Sequence, residues 1–271
     1  MALWQCQENS RNKPVLASIG TNMMTTHKEA FDTLRRDTNA PLLPSQQWAM
    51  RADSAKALLQ NIDLSPVFVN TWPDNGFYGN DHYRIEFIIQ DMKRSPDNPF
   101  IYTVEGKNRF KKTISPFKGT LEVKELRPFK DKNLDSLDLV SLELVQSLAA
   151  TGTFSFQEDE AMVSSGHFSG TFKLDFGVKK DGSAELWYFT EDTPAGGCGY
   201  RFDGTWTGYK NNSVSKPVLW SRDLFRFAND IMENFSYGER EVEINPKYRH
   251  LGWENYWDGE EWWNDSPKQN M

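Results

Sequence analysis

The sequence predicts a mainly β protein: an antiparallel meander closing into a barrel of about eight strands, with two or three accessory helices. Three observations predict it. Between residues 66 and 209 apolar and polar residues alternate in at least five segments bounded by Gly, Pro, Asn or Asp, and alternation with period two marks a strand with one buried and one wet face. Asp181-Gly182 joins two of these segments, a pair suited to the positive φ angles of a tight hairpin turn. Glycine recurs on the apolar faces beside Phe and Trp, at Gly119, Gly170, Gly204 and Gly208, where a missing side chain permits the bending that closes a sheet.

From the N-terminus, residues 1–25 read as a mobile segment and 26–64 as accessory helices. Thr26-His27-Lys28-Glu29 is a capping box ahead of Ala30, Phe31 and Leu34. Ser45 caps a second helix that puts Trp48, Ala52, Ala55, Leu59 and Ile62 on one stripe, the spacing of a core-packing face.

Residues 65–210 read as the barrel. The clearest strand runs from 166 to 178, with Phe168, Gly170, Phe172, Leu174, Phe176 and Val178 on one face and His167, Ser169, Thr171, Lys173 and Asp175 on the other. Segment 200–209 repeats the pattern with Tyr200, Phe202, Gly204 and Trp206. Segment 83–89 does so with Tyr83, Ile85, Phe87 and Ile89, broken only at Ile88. Segments 117–124 and 151–157 follow, and weaker candidates lie at 66–72, 100–105 and 183–190, the last apolar on both faces. Segment 136–148 fits neither a helical nor a strand period. Phe168, Phe172, Phe202 and Trp206 are expected to face the interior.

Residues 211–271 read as a C-terminal helix and an aromatic-acidic extension packed on the barrel. The helix starts at Ser221, with Leu224, Phe227, Ala228, Ile231 and Phe235 on one side. Beyond it Trp253, Tyr256, Trp257, Trp262 and Trp263 crowd among Glu254, Asp258, Glu260 and Glu261. Such a cluster either covers a core or presents a sticky surface to a partner. Trp253, Tyr256 and Trp257 are expected to pack on the body, leaving Trp262 and Trp263 partly exposed, because the last residues of a chain are less easily buried.

Composition excludes several classes. With 31 basic and 38 acidic residues, a net charge of −7 and no wide basic stripe, nucleic acid is a poor partner. The densest basic group, Lys107, Arg109, Lys111 and Lys112 around Phe110, reads as a solvated hairpin edge. No stretch approaches the ~20 apolar residues of a membrane-spanning helix. Ala2-Leu3-Trp4-Gln5-Cys6 before a polar run to Lys13 resembles the cut end of a bacterial lipoprotein signal, with Cys6 as the lipid-bearing residue of an exported, anchored protein. Gln5 and the missing basic and apolar regions depart from that pattern.

No reaction motif stands out. Cys6 and Cys198 make no disulfide framework, and Cys198 lacks a second Cys or nearby His for metal or redox chemistry. The four histidines show no zinc spacing. Asp131-Lys132-Asn133-Leu134-Asp135 begins like a calcium loop, but Ser136 stands where the turn needs Gly and Leu142 where it needs Glu. No phosphate-binding, dinucleotide-binding or nucleophile-elbow motif occurs, and no cofactor is expected.

Gly204-Thr205-Trp206 resembles the Gly-x-Trp of lipocalin-type barrels, with which an eight-stranded meander agrees. In lipocalins the motif lies in the first strand and here it falls late, so the likeness implies architecture and no ligand or activity. An eight-stranded barrel can be filled by side chains or hold one small ligand. The expectation is therefore a non-enzymatic binding protein. Its partner is a small apolar ligand at the barrel mouth, near Trp206, Trp187 and Tyr188, or a protein at Trp262 and Trp263. The alternative is a hydrolase whose carboxylates and histidines converge only in three dimensions.

Overall fold

Nine strands make one antiparallel sheet in this computed structural model, which describes residues 49–129, 143–188, 193–210, 215–238 and 240–264. Cys6, the helix expected after Thr26, Ser45, Trp48 and the calcium-like loop at 131–142 lie outside these residues. The strands are β1 (Asp74–Tyr78), β2 (Tyr83–Arg94), β3 (Ile101–Phe110), β4 (Thr113–Phe129), β5 (Leu144–Glu158), β6 (Gly166–Lys179), β7 (Ala184–Leu186), β8 (Tyr200–Gly208) and β9 (Ser215–Ser221). Neighbours pair from β1 round to β6, then β8 and β9, and β9 returns to β1, closing a ring of eight strands with β7 appended to β6.

The expected hairpin joins β6 to β7, but only Gly182 takes a left-handed φ, +84°. Asp181 holds the turn through its carboxylate, which accepts from the Ser183 N–H at 2.9 Å and hydroxyl at 2.6 Å. Two of the glycines on the apolar faces let the backbones come close. Gly170 and Gly204 face each other across β6 and β8, and a Cβ on Gly170 would lie 2.5 Å from the Gly204 Cα.

Several elements differ from the sequence reading. Segment 66–72 is no strand: a helix, α2 (Ser65–Phe68), follows the first helix, α1 (Ala52–Asn61). Asp63 accepts from the Ser65 N–H at 3.0 Å, and Pro66 sits in the first turn, where its missing N–H costs nothing. The helix expected from Ser221 is instead the end of β9, followed by a short 3-10 turn at Leu224–Arg226 and one turn of helix, α3 (Ala228–Ile231). Strand β9 escaped notice because Val218 and Trp220 face the interior while Leu219 packs outside, so no alternation is visible. Strand β1 begins on Asp74-Asn75-Gly76, residue types common in turns. Gly76 is there because the Leu219 carbonyl oxygen would stand 2.4 Å from its Cβ.

The interior is packed solid with aromatic side chains. Trp220 lies stacked between Phe87, at 4.0 Å between ring centroids, and Phe202, at 4.5 Å, with Phe154 edge-on at 5.2 Å. At one end α1 and α2 contribute Leu59, Val67 and Phe68 to the same core, and Phe68 meets Phe172, Tyr200 and Phe202. Arg94 holds α1 in place, donating to the Ile62 carbonyl at 2.9 Å.

A second core lies outside the ring. Phe77 and Leu219 point away from the interior and meet Leu224, Phe235, Tyr248 and Trp253 of the C-terminal segment. Around it run a two-residue pairing of β10 (Ser236–Tyr237) with β11 (Glu243–Ile244) and 3-10 turns at Pro246–Leu251 and Trp262–Asn264.

Candidate functional site

The outer face of β2, β3 and β4 carries the arrangement most unlike an ordinary wet surface. Register sets Glu86 opposite Arg109 and Arg109 opposite Ile114, so one outward row runs Glu86, Arg109, Ile114. Arg84 and Ile88 stand two residues either side of Glu86 on the same face. The C-terminal segment lies over this row, and both Arg84 and Glu86 are buried despite pointing out of the ring.

Glu86 is the hub. One carboxylate oxygen accepts from Arg84 at 3.0 Å and from the Trp262 indole N–H at 3.3 Å, while the other accepts from Arg109 Nε at 2.6 Å. Arg109 also donates to Glu260 at 2.5 Å, and its guanidinium lies 5.3 Å from the Trp262 ring. Arg84 donates to Asn75 at 2.8 Å and sits beneath the rings of Trp253 and Tyr256. Burial lowers the pKa of Arg84, with Glu86 opposing. Burial opposes the charge of Arg109 too, but hydrogen bonds and attraction from Glu86 and Glu260 outweigh it and hold its pKa above the usual value.

Beside this network opens a cleft of about 960 Å³ between the strands and the C-terminal segment. Its strand wall carries Tyr83, Arg84, Arg109, Lys111, Lys112 and Thr113; its other wall carries Glu254, Asn255, Glu260, Glu261 and Trp262. Lys111 belongs to the two-residue β3–β4 turn and takes a left-handed φ of +56°, a conformation that costs a non-glycine residue on the order of 1 kcal/mol. Its ammonium lies 5.0 Å from the Tyr83 ring and 5.4 Å from that of Phe110.

The five residues expected to bind fall in three separate places. Trp206 is half-buried at the end of the ring away from α1, where its indole donates to Glu158 at 2.9 Å. Glu158 also accepts from Asn108 at 2.8 Å and from the Gly166 N–H at 2.9 Å; burial raises its pKa and these donors oppose the rise. Trp187 and Tyr188 follow β7 at the other end, Trp187 half-buried with its N–H on the Asp175 carbonyl, Tyr188 exposed. Trp262 and Trp263 are the pair the fold keeps together, 6.0 Å apart on the outer face.

Trp253 is buried as expected, but the exposure expected of Trp257, Trp262 and Trp263 is reversed. Trp262 and Trp263 are 4% and 8% exposed, whereas Trp257 stands 64% exposed. The strands explain it: Ile88 and Ile114 form an apolar island on the outer face, and Trp262 and Trp263 bury it. Lys107 secures this cover by donating to the Trp263 carbonyl at 2.7 Å.

The buried acids do not converge. Asp74 opens β1, accepting from Tyr200 at 2.5 Å and Arg222 at 3.3 Å, and burial raises its pKa to about 6 against the Tyr200 hydrogen bond and the Arg222 charge. Asp175 is held by the loop at 193–199: Thr193 donates to it at 2.5 Å, and burial raises its pKa to about 7. Cys198 in that loop is buried and its thiol pKa is pushed up to about 12, chiefly by burial. Among the described residues no group of three or more His, Cys, Asp or Glu side chains could hold a metal ion, and no helix is long and apolar enough to cross a membrane.

Sequence reading missed Arg84, Glu86 and Glu260, and it took Arg109, Lys111 and Lys112 for a solvated edge. One signal was present: Ile88, the single break in the alternation of β2, marks the outer face that the tryptophans cover. Comparison of the chain with family models, curated proteins and solved structures returned no match.

Proposed function

We propose that this chain is a non-enzymatic binding protein whose partner docks in the outer cleft between β2–β4 and the C-terminal segment. One observation carries the reading: the ring interior is filled by the Phe87–Trp220–Phe202 stack, while about 960 Å³ of space lies outside it. A filled ring favours the surface over the mouth as the place of recognition. The floor of the cleft is also rigid. Glu86, Arg109 and Trp262 fix one another through directional hydrogen bonds, so little ordering remains to be done on binding. Against a hydrolase stands the separation of the acids, with Asp74 and the Glu158 end of the ring at opposite ends of β1 and each carboxylate bonded to its own neighbours.

Site-specific photocrosslinking tests this. Thr113→benzoylphenylalanine puts the probe in the cleft, and the same change at the exposed Thr153 of β5 serves as control. The expected result, in extract of the source cells, is a discrete adduct from position 113 that K111E/K112E weakens, and none from position 153. Equal adducts from both positions, or none from 113, would refute the cleft as the binding surface.

A further inference from the structure

The charges in the cleft sort into two groups. Arg84, Glu86, Arg109 and Glu260 neutralise one another through contacts of 2.5 to 3.0 Å. Lys111 and Lys112 on one wall, and Glu254 and Glu261 on the other, have no ion-pair partner among the described residues. Among the described residues the walls therefore present two cations and two carboxylates without ion-pair partners, Glu261 accepting only a neutral hydrogen bond from Asn264.

Tyr83 stands near both groups. Lys111 sits over one side of its ring. The C-terminal segment passes so close that a Cβ on Gly252 would lie 2.7 Å from the same ring, and the charges of Glu254 and Asp81 add to the burial raising the Tyr83 pKa. The cleft thus holds a cationic and an anionic group beside one aromatic ring. An occupant of one sign alone meets attraction at one wall and repulsion at the other.

We infer that the cleft selects a peptide segment of mixed charge, with an acidic side chain against Lys111 and Lys112 and a basic one against Glu254 and Glu261. The inference rests on the proposed binding role of the same cleft and adds the chemistry of its ligand. An extended segment of a few residues is the size of occupant that the space admits. A carboxylate can pair with the ammonium groups of Lys111 and Lys112, and a lysine or arginine with the carboxylates of Glu254 and Glu261.

The test uses the full chain, immobilised, and a random hexapeptide library as probe, with the retained pool sequenced. The expected pool is enriched in peptides carrying one Asp or Glu and one Lys or Arg a few residues apart, held about fivefold more strongly than peptides of a single sign. K111E/K112E should shift the pool toward purely basic peptides, and E254K/E261K toward purely acidic ones. A pool that depends on these four residues yet carries one sign of charge overturns the mixed-charge inference and leaves the cleft as the binding site. A pool unchanged in K111A/K112A/E254A/E261A, or no enrichment over that variant, overturns both. These positions line an open cleft away from the ring interior, and unchanged denaturation midpoints would verify that the variants fold.

Discussion

Phe87 and Glu86 are adjacent in β2 and almost equally hidden, at 1% and 5% exposure, but they are buried by opposite means. Phe87 lies flat on Trp220 inside the ring, where contact area alone stabilises it. Glu86 faces outward, and its burial is tolerable only because Arg84, Arg109 and Trp262 supply donors to both carboxylate oxygens. The inner region needs volume, whereas the outer region needs partners. An interior built on volume resists truncation but has no addressable groups. A cover built on partners leaves charged groups at its rim, and there the cleft opens.

Breaking the inner region should have the largest effect. Trp220→Ala removes the central ring of the stack and should destabilise by ~3–5 kcal/mol, measured by chemical denaturation. A loss under ~1 kcal/mol would mean that the ring collapses easily around the gap and that its packing is not the main source of stability.

The outer region breaks differently. Glu86→Ala leaves the buried Arg84 and the half-buried Arg109 without their shared carboxylate and should cost ~3 kcal/mol. Arg84 then keeps only the neutral Asn75 and is repelled by Arg109, so the further change Arg109→Met should recover part of that loss by removing the repelling charge. If the double variant is less stable than the single one, Arg109 is held by more than charge pairing.

Inner-facing Asp74 gives a test through pH. Its pKa is raised by burial to about 6, above its unfolded value near 4. In that window the native state keeps a proton that the unfolded chain has released, so its contribution to stability is largest below about pH 4 and declines as pH rises through 6. Relative to Asp74→Asn, the parent protein should lose on the order of 2 kcal/mol between pH 4 and pH 7 in urea titrations. Parallel profiles for the two proteins would show that Arg222 and Tyr200 fully compensate the buried charge.

The inner region was legible in the sequence because alternation reports one thing, a face hidden from water. Phe168, Phe172 and Phe202 are all where their spacing puts them. Legibility failed where a strand is covered on both sides, as at Leu219 in β9, and where a polar face is buried by a distant segment, as at Arg84 and Glu86. Apart from Ile88, nothing local distinguishes a glutamate that will be roofed by a tryptophan 176 residues further on from one that stays in water. The scatter of Trp206, Trp187 and Trp262 has the same origin: composition identifies sticky residues, but the topology decides which share a surface.

The C-terminal tryptophans give the smallest expected effect and the sharpest version of the contrast. Trp262 and Trp257 lie five positions apart in one aromatic run, yet Trp262 donates to Glu86 over an apolar island while Trp257 meets Tyr256 edge-on at 4.7 Å and is 64% exposed. Trp262→Ala should cost ~2 kcal/mol, since it removes both a charge-assisted hydrogen bond and the cover over Ile88. Trp257→Ala should change stability by less than ~0.5 kcal/mol, as exposed substitutions do. Equilibrium unfolding of the two variants side by side measures the difference, and a Trp257 loss matching that of Trp262 would show that the run acts as one packed unit instead of a cover with a free edge.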